Sequence, residues 1–448
     1  MDHSSWLLLV LFASVIAIVI LIIKVKVHAF LTLIIACFGV GLGSGMNLPE
    51  VVDAIEKGIG GTLGNLIAII GLGGILGKVL EESGGAERLA KTLLNNLGAK
   101  RAHWVMAAVG AIAGIPVFFE VGFVLLIPLV YEIARQTRMN LLYLSIPLAL
   151  SLMTIHCILP PHPAAMAITV MLNADVGKVI LYGIMIGIPT MIISGPVWVR
   201  LVCKKEMTPE QERFLAARTS ADCKQERQLP GFGITLFTIC LPLILMVLKT
   251  LTSGLDSNSV FHRFTVAVGN PLTALLISLI FAYWALGIRQ GKTMLQLLET
   301  SQRSFPVLAT IVFVIGAGGA FNGVLIKSGV GNAISSMLLG THINPIILAW
   351  FIAWIMHLAV GSATVAMISA ASMISPMLAA DPSLSPEIMV IAIGAGSIGW
   401  AHVTDSAFWI VREYLGISLS DALKKFTGAT VLASIVALLA TLALSSFI

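Results

Sequence analysis

Charge is scarce in this chain. Asp, Glu, Lys and Arg together make up 11% of its 448 residues, while hydrophobic residues make up 58%. A soluble domain carries about 25% charged residues, so a surface facing water on all sides cannot be assembled here and most of the outer face must meet lipid. A phosphate-binding GxxxxGK[ST] loop is missing, which removes any sign of ATP-driven work. The runs "GIGGTLG" (58–64) and "GLGGILG" (71–77) resemble nucleotide loops, but they lie inside apolar spans, where close helix packing explains them. Cysteine pairs are missing too. Cys37, Cys157, Cys203, Cys223 and Cys240 form no CxxC and lie mostly in apolar runs, so neither a disulfide framework nor a metal cluster is expected. No Ser-His-Asp or metal-ligand spacing points to an enzyme or a cofactor. The net charge of +5 comes from basic residues in short loops beside spans, which suits membrane topology and not nucleic acid.

What the chain has is apolar runs long enough to cross a hydrocarbon core of about 30 Å. Trp6–Ile23, Pro271–Leu286 and Val431–Ile448 are examples. The first lacks a basic start and a small-residue cleavage site, so it reads as a retained span. The expected fold is an all-α polytopic membrane protein.

The chain also repeats itself. Gly71, Gly73, Gly74, Val79, Leu80, Ser83 and Gly84 recur 245 residues later as Gly316, Gly318, Gly319, Val324, Leu325, Ser328 and Gly329. Ungapped identity at one offset implies a duplicated unit. The predicted organisation is a first transmembrane repeat over 1–202, a hydrophilic cytoplasmic linker over 203–229 and a second repeat over 230–448. Each half has three spans (near 6–23, 29–45 and 60–80; near 231–248, 268–287 and 305–326). A short amphipathic surface helix follows (Glu87–Leu97; Val330–Leu339). Then come a segment with a broken middle (103–134; 343–380), an interrupted span (141–173; 387–415) and a closing span (178–201; 423–447).

Reading the broken-middle segments as re-entrant hairpins gives five crossings per half and two halves inverted in the membrane. With both termini outside, the inner loops then hold Lys24, Lys26, Arg88, Lys91, Lys100, Arg101, Arg135, Arg138, Arg200, the linker's basic residues, Arg289, Lys292, Arg303, Lys424 and Lys425. The outer loops keep Lys57, Lys178, Lys249, Arg263 and Lys327. This is the positive-inside bias.

The chemistry can sit at the breaks, because unwound backbone survives inside a membrane only where it is buried in protein or wet. In "GIPVFFEVGF" (114–123), Gly114 and Pro116 break the helix and Glu120 is an intramembrane acid, a candidate proton carrier. In "HCILPPHPAA" (156–165), three prolines bend the chain and present His162, with His156 in support. "HLAVGSATVA" (357–366) offers Ser362 and Thr364 at a turn made by Gly361, with His357 supporting the tip. "GSIGWAHVTDSAFW" (396–409) clusters Thr404, Asp405 and Ser406, with His402 nearby; a cap on the next helix by Asp405 or Thr404 is the plainer reading and does not exclude a ligand role. Asn322, after the second Gly-rich run, is a weaker polar candidate.

These motifs, with "EKGIGGTLG" (56–64), "GAGGAF" (316–321) and "HVTDSAFW" (402–409), resemble the gluconate permease family of gluconate:proton symporters over essentially the whole chain. Ala164-Ala165 after PPHP, Val403–Ser406 in the second break and "LKTL" near Lys249 look like that family's D-serine branch. The resemblance implies proton-coupled import of a small carboxylate across an inner membrane. By analogy with a broader superfamily it also implies a homodimer moving substrate elevator-fashion. Substrate contact is then expected from His162, Ser362, Thr364, Thr404, Asp405 and Ser406, and proton coupling from Glu120, Asp405 or His162. Sodium coupling is the alternative within transport. A channel would need a continuous polar lining, and an enzyme would need a clustered nucleophile or metal set.

Overall fold

The computed structural model describes residues 3–218, 229–256, 259–330, 333 and 343–448. Within them the chain is helical, with no strand beyond an isolated bridge between Met139 and Glu206. Among the described residues six helices, or seven when a bent one is included, are long and apolar enough to cross a membrane.

The centre of one layer is a pair of long helices, α3 (Leu48–Ser83) and α15 (Met294–Lys327), which carry the two copies of the repeat. They run antiparallel. At one end Lys327 Nζ lies 2.9 Å from Asp53 Oδ2; at the other Arg303 Nε lies 3.2 Å from Glu82 Oε1, and Thr300 donates to Glu82 Oε2 at 2.6 Å. In between, a Cβ on Gly58 would stand 2.4 Å from the Gly319 carbonyl oxygen, so glycine there permits the backbones to touch. The Gly-rich runs are packing surfaces.

Both helices start earlier than the sequence suggests, at 48 in place of 60 and at 294 in place of 305. Each opens on a reciprocal capping box, Asn47 with Glu50 and Thr293 with Gln296. Their polar first turns read as loop because they are not apolar.

Around this pair, α1 (His3–Ile23) packs on α2 (Ala29–Gly43), and α12 (Phe232–Leu251) on α14 (Pro271–Ala282). In corresponding fashion α2 packs on α15 and α14 on α3. A short helix, α13 (Val260–Val268), precedes α14 and was not anticipated. The surface helix α4 (Gly85–Leu97) forms as expected, burying Leu89 and Ala90. Its second-half counterpart lies almost wholly outside the described residues.

The second layer holds the segments with breaks. The first hairpin is α5 (Ala102–Ala113) and α6 (Phe119–Thr137). The first interrupted span is α7 (Leu141–Ile158) and α8 (Pro163–Met171). It is closed by α9 (Val176–Ile192), which runs through a π turn into α10 (Trp198–Val202). Both ends of the first hairpin lie on one side, because Arg200 Nε donates to His103 Nε2 at 3.2 Å and the Asn140 amide donates to the Lys205 carbonyl at 2.8 Å. The segment therefore folds back on itself.

The second half repeats this with α16 (Pro345–Val360) beside α17 (Ala363–Ala380), then α18 (Pro386–Ile398), α19 (Ser406–Leu415), a short turn α20 (Leu419–Asp421), and α21 (Gly428–Ser445). Every residue of α7 is buried, as is α18 from Ile388 onward. Helices apolar on all faces belong in an interior, and these two carry the breaks into the middle of the protein.

The linker is more than a loop. Its described part forms α11 (Pro209–Arg218), docked on the end of the first hairpin. Phe214 meets Tyr131 edge-on at 6.3 Å and covers Gly416, and Arg135 donates to the Leu215 carbonyl at 3.1 Å.

Candidate substrate site at the four breaks

The first hairpin turns at Gly114–Phe118. A Cβ on Gly77 would lie 2.1 Å from the Pro116 carbonyl oxygen, so only glycine in α3 lets this tip seat against it. Its second arm, α6, begins with Phe118 as N-cap and no side-chain cap bond, and it carries Glu120 in its first turn. A carboxylate is favourable at a helix start.

The first interrupted span unwinds after Ile158. A turn from the His162 amide to the Leu159 carbonyl (3.2 Å) re-aims the chain, and Pro163 opens α8. The rings of His156 and His162 lie 4.0 Å apart, and Phe118 meets His162 edge-on at 5.2 Å. His162 is 1% exposed, yet neither ring nitrogen has a partner. Buried polar atoms are rarely left so.

The second hairpin turns at Gly361, whose φ of +69° suits glycine, and Ser362 caps α17. Thr364 Oγ1 lies 3.2 Å from His156 Nε2.

The second interrupted span unwinds from Gly399 to Asp405. It is held from behind by α21 and the turn before it: Thr430 Oγ1 accepts from the Ala401 amide at 3.2 Å, and Thr427 Oγ1 donates to the Ala401 carbonyl. Asp405 is buried and fully used. Oδ1 accepts from the Ala407 amide at 2.8 Å, capping α19, and Oδ2 lies 3.0 Å from His357 Nε2. His402 Nε2 reaches the Leu358 carbonyl at 3.0 Å. A Cβ on Gly361 would stand 2.2 Å from the Thr404 carbonyl oxygen. Ser406 Oγ donates to Glu120 Oε1 at 3.2 Å.

These contacts close a ring. The first tip meets the first break through Phe118 and His162. That span meets the second hairpin through His156 and Thr364. The second tip meets the second break through Gly361 with Thr404 and through His357 with Asp405. The second break returns to the first hairpin through Ser406 and Glu120. The ring is deepest at the two imidazoles and opens at Thr404 and Ser406, which are exposed.

Ten of the eleven residues singled out from the sequence therefore lie on this ring or support it; Asn322 makes no hydrogen bond to it, and its buried Oδ1 has no partner. Phe118, Gly77, Thr427 and Thr430 were missed. Phe118 and Gly77 sit within quoted motifs and could have been suspected. The two threonines lie in the closing span, with no local mark of their role. Among the described residues no group of three or more His, Cys, Asp or Glu could hold a metal ion.

Apolar helices wrapped around unwound, polar-lined segments are the build of a membrane transporter. Two solved transporters share the fold at low identity. The YdaH transporter of Alcanivorax borkumensis matches with a TM-score of 0.61 at 14% identity, covering 94% of this chain and 99% of that one. MtrF of Neisseria gonorrhoeae, described in connection with a class of antimetabolite efflux pumps, matches at 0.65 and 13%, covering 94% and 96%. Residues 6–448 match the family described as GntP family permease, and the chain belongs to that family. It is 44% identical over 455 aligned positions to the D-serine transporter DsdX of Escherichia coli, covering all of both chains. It is 38% identical over 453 positions to a gluconate permease of Pseudomonas aeruginosa, covering 99% of each. The Gnt-II system L-idonate transporter of Escherichia coli is 37% identical over 440 positions, covering 98% of this chain and 99% of that one. The protein is a polytopic membrane transporter and not an enzyme.

Proposed function

We propose that this chain imports a small carboxylate, D-serine or a sugar acid such as gluconate, by symport with protons, and that the ring of four breaks is its substrate site. The observation that carries the reading is the closure of that ring. Glu120, His156, His162, Thr364, Asp405 and Ser406 come from segments up to 286 residues apart, yet they meet at unwound backbone, from a buried end at His162 to an exposed one at Ser406. Half-helix starts offer amide groups to an anion. Thr364, Thr404 and Ser406 offer hydroxyls, and Ser362 and Asp405 hold the backbone that frames them.

Glu120 is the favoured proton carrier, because Asp405 has both oxygens engaged by His357 and the Ala407 amide. With a hydroxy acid, a proton on Glu120 removes a negative charge from the ring, so proton and anion binding favour each other; with an amino acid the substrate's own ammonium offsets that charge. The antiparallel α3 and α15 support an inverted relation of the two halves, with residues 1–202 and 230–448 as the units. An inner-membrane location with both termini outside follows from the charge bias. The family resemblance supplies the homodimer and the elevator movement.

The test is uptake into proteoliposomes of labelled D-serine and gluconate, each competed by the other, with an imposed pH gradient and with an uncoupler. Accumulation of one or both that collapses with the uncoupler is expected. Accumulation that follows a sodium gradient and ignores the uncoupler would replace protons by sodium. Equilibration without accumulation would make the protein a channel or a passive carrier.

A further inference from the structure

The ring is chemically lopsided. Its deep end holds two imidazoles, and the buried carboxylate near them, Asp405, is taken up by His357 and the Ala407 amide; its open end holds Glu120, whose Oε1 accepts from Ser406 Oγ at 3.2 Å. The four half-helices that start at the ring differ as well. Those of the second half are capped by their own side chains, α17 by Ser362 and α19 by Asp405. Those of the first half, α6 and α8, receive no side-chain cap bond. The start of α6 carries an acid of its own, Glu120. The start of α8 carries none: its first amides, on Ala164 and Ala165, are buried, and the first amides of a helix have no partner within it. Beside them stands His162, 1% exposed with both ring nitrogens unpartnered. Unfilled donors at a buried helix start, next to an unfilled imidazole, call for an acceptor from outside the protein.

We infer that the substrate lies polarised in the ring, with its carboxylate deep against His162 and the start of α8, and its α-substituent toward Glu120 and Ser406, so that Glu120 decides between an α-ammonium and an α-hydroxyl. This rests on the ring being the carboxylate site. An ionised Glu120 is a counterion for an α-ammonium. Toward a hydroxy acid the same carboxylate must find a hydroxyl donor or take up a proton. The binding of zwitterionic α-amino acids and that of polyhydroxy acids therefore diverge at this residue, while both share the deep end.

The test is equilibrium binding to the full-length purified protein in lipid nanodiscs. Labelled D-serine is competed by D-glycerate, which differs only in carrying a hydroxyl where D-serine carries its ammonium, and labelled gluconate is measured beside it. Glu120→Gln is expected to shift the D-serine to D-glycerate affinity ratio by about tenfold or more toward D-glycerate, the scale of one charge-assisted contact. Ser406→Ala, at an exposed side chain whose loss should spare the fold, shifts the ratio in the same direction by less. His162→Asn weakens all three ligands together. Were Glu120 only a structural element, its loss would lower all ligands in parallel and leave the ratio unchanged, and that result overturns the inference. Binding of gluconate without D-serine by the unsubstituted protein overturns it too, while leaving carboxylate transport standing. Binding of none of the three overturns both.

Discussion

Gly361 is where a single methyl group does the most harm. Its Cβ would stand 2.2 Å from the Thr404 carbonyl oxygen, 2.4 Å from the carbonyl carbon and 2.5 Å from Thr404 Oγ1, whereas ordinary contact begins at 3.4 Å. These are backbone and short side-chain atoms, with no flexible end to swing aside. Gly361→Ala must therefore push the second tip away from the second break by about 1 Å, and a misplacement of that size can lower a rate by about 100-fold. The positive φ adds about 1–2 kcal/mol of backbone strain. Gly291→Ala isolates that strain. Gly291 is left-handed like Gly361, with φ +82° and ψ 8°, and nothing lies within 4 Å of the Cβ it would gain. The assay is initial uptake of labelled D-serine or gluconate by cells expressing each variant, normalised to the amount of folded protein in the membrane. G361A is expected to lose nearly all transport while remaining in the membrane, and G291A to keep most of it. Equal transport by the two would refute the claim that tip and break must touch for the site to work.

The same reasoning applies to the glycines of α3. Gly58→Ala, 2.4 Å from the Gly319 carbonyl, is expected to lower the melting temperature of detergent-purified protein sharply. Gly60→Ala, in open space, should be neutral or gain up to about 1 kcal/mol from helix propensity; equal stability of the two variants would count against the close pairing of α3 with α15. Phe214→Ala removes the ring that covers Gly416 and meets Tyr131. About 1–2 kcal/mol of stability should be lost for this half-buried side chain, seen as a lower melting temperature and faster proteolysis within 209–218; an unchanged digestion pattern would show that α11 is not docked there. Thr430→Val deprives the Ala401 amide of its acceptor behind the second break. It should cost about 1–3 kcal/mol and reduce transport, whereas Thr441→Val, which removes only a bond back to its own helix, should do neither.

Much of the ring was readable before the fold was known, for a local reason. Proline, glycine and ionisable residues are expensive in a membrane helix wherever they fall, so their presence in "HCILPPHPAA" or "HVTDSAFW" marks an unwound point without reference to any neighbour. The starts of α3 and α15 were misplaced because a capped, polar first turn carries no apolar signal. Helix α11 was read as solvated linker because the apolar contacts that dock it, Phe214 on Tyr131 and Gly416, lie about 80 and 200 residues away.

By itself the sequence determined that the chain lives in a bilayer, that a glycine-rich stretch recurs 245 residues on, and where its helices break. Those properties follow from composition, periodicity and residues that helices reject, all of which act locally. The tertiary structure alone decided which break meets which, that Asp405 is consumed as a cap and a partner of His357 while His162 is left unpartnered, and that the start of α8 stays uncapped. Such pairings depend on how remote segments stack, and stacking is set by shape complementarity over the whole bundle, which no stretch of sequence carries alone.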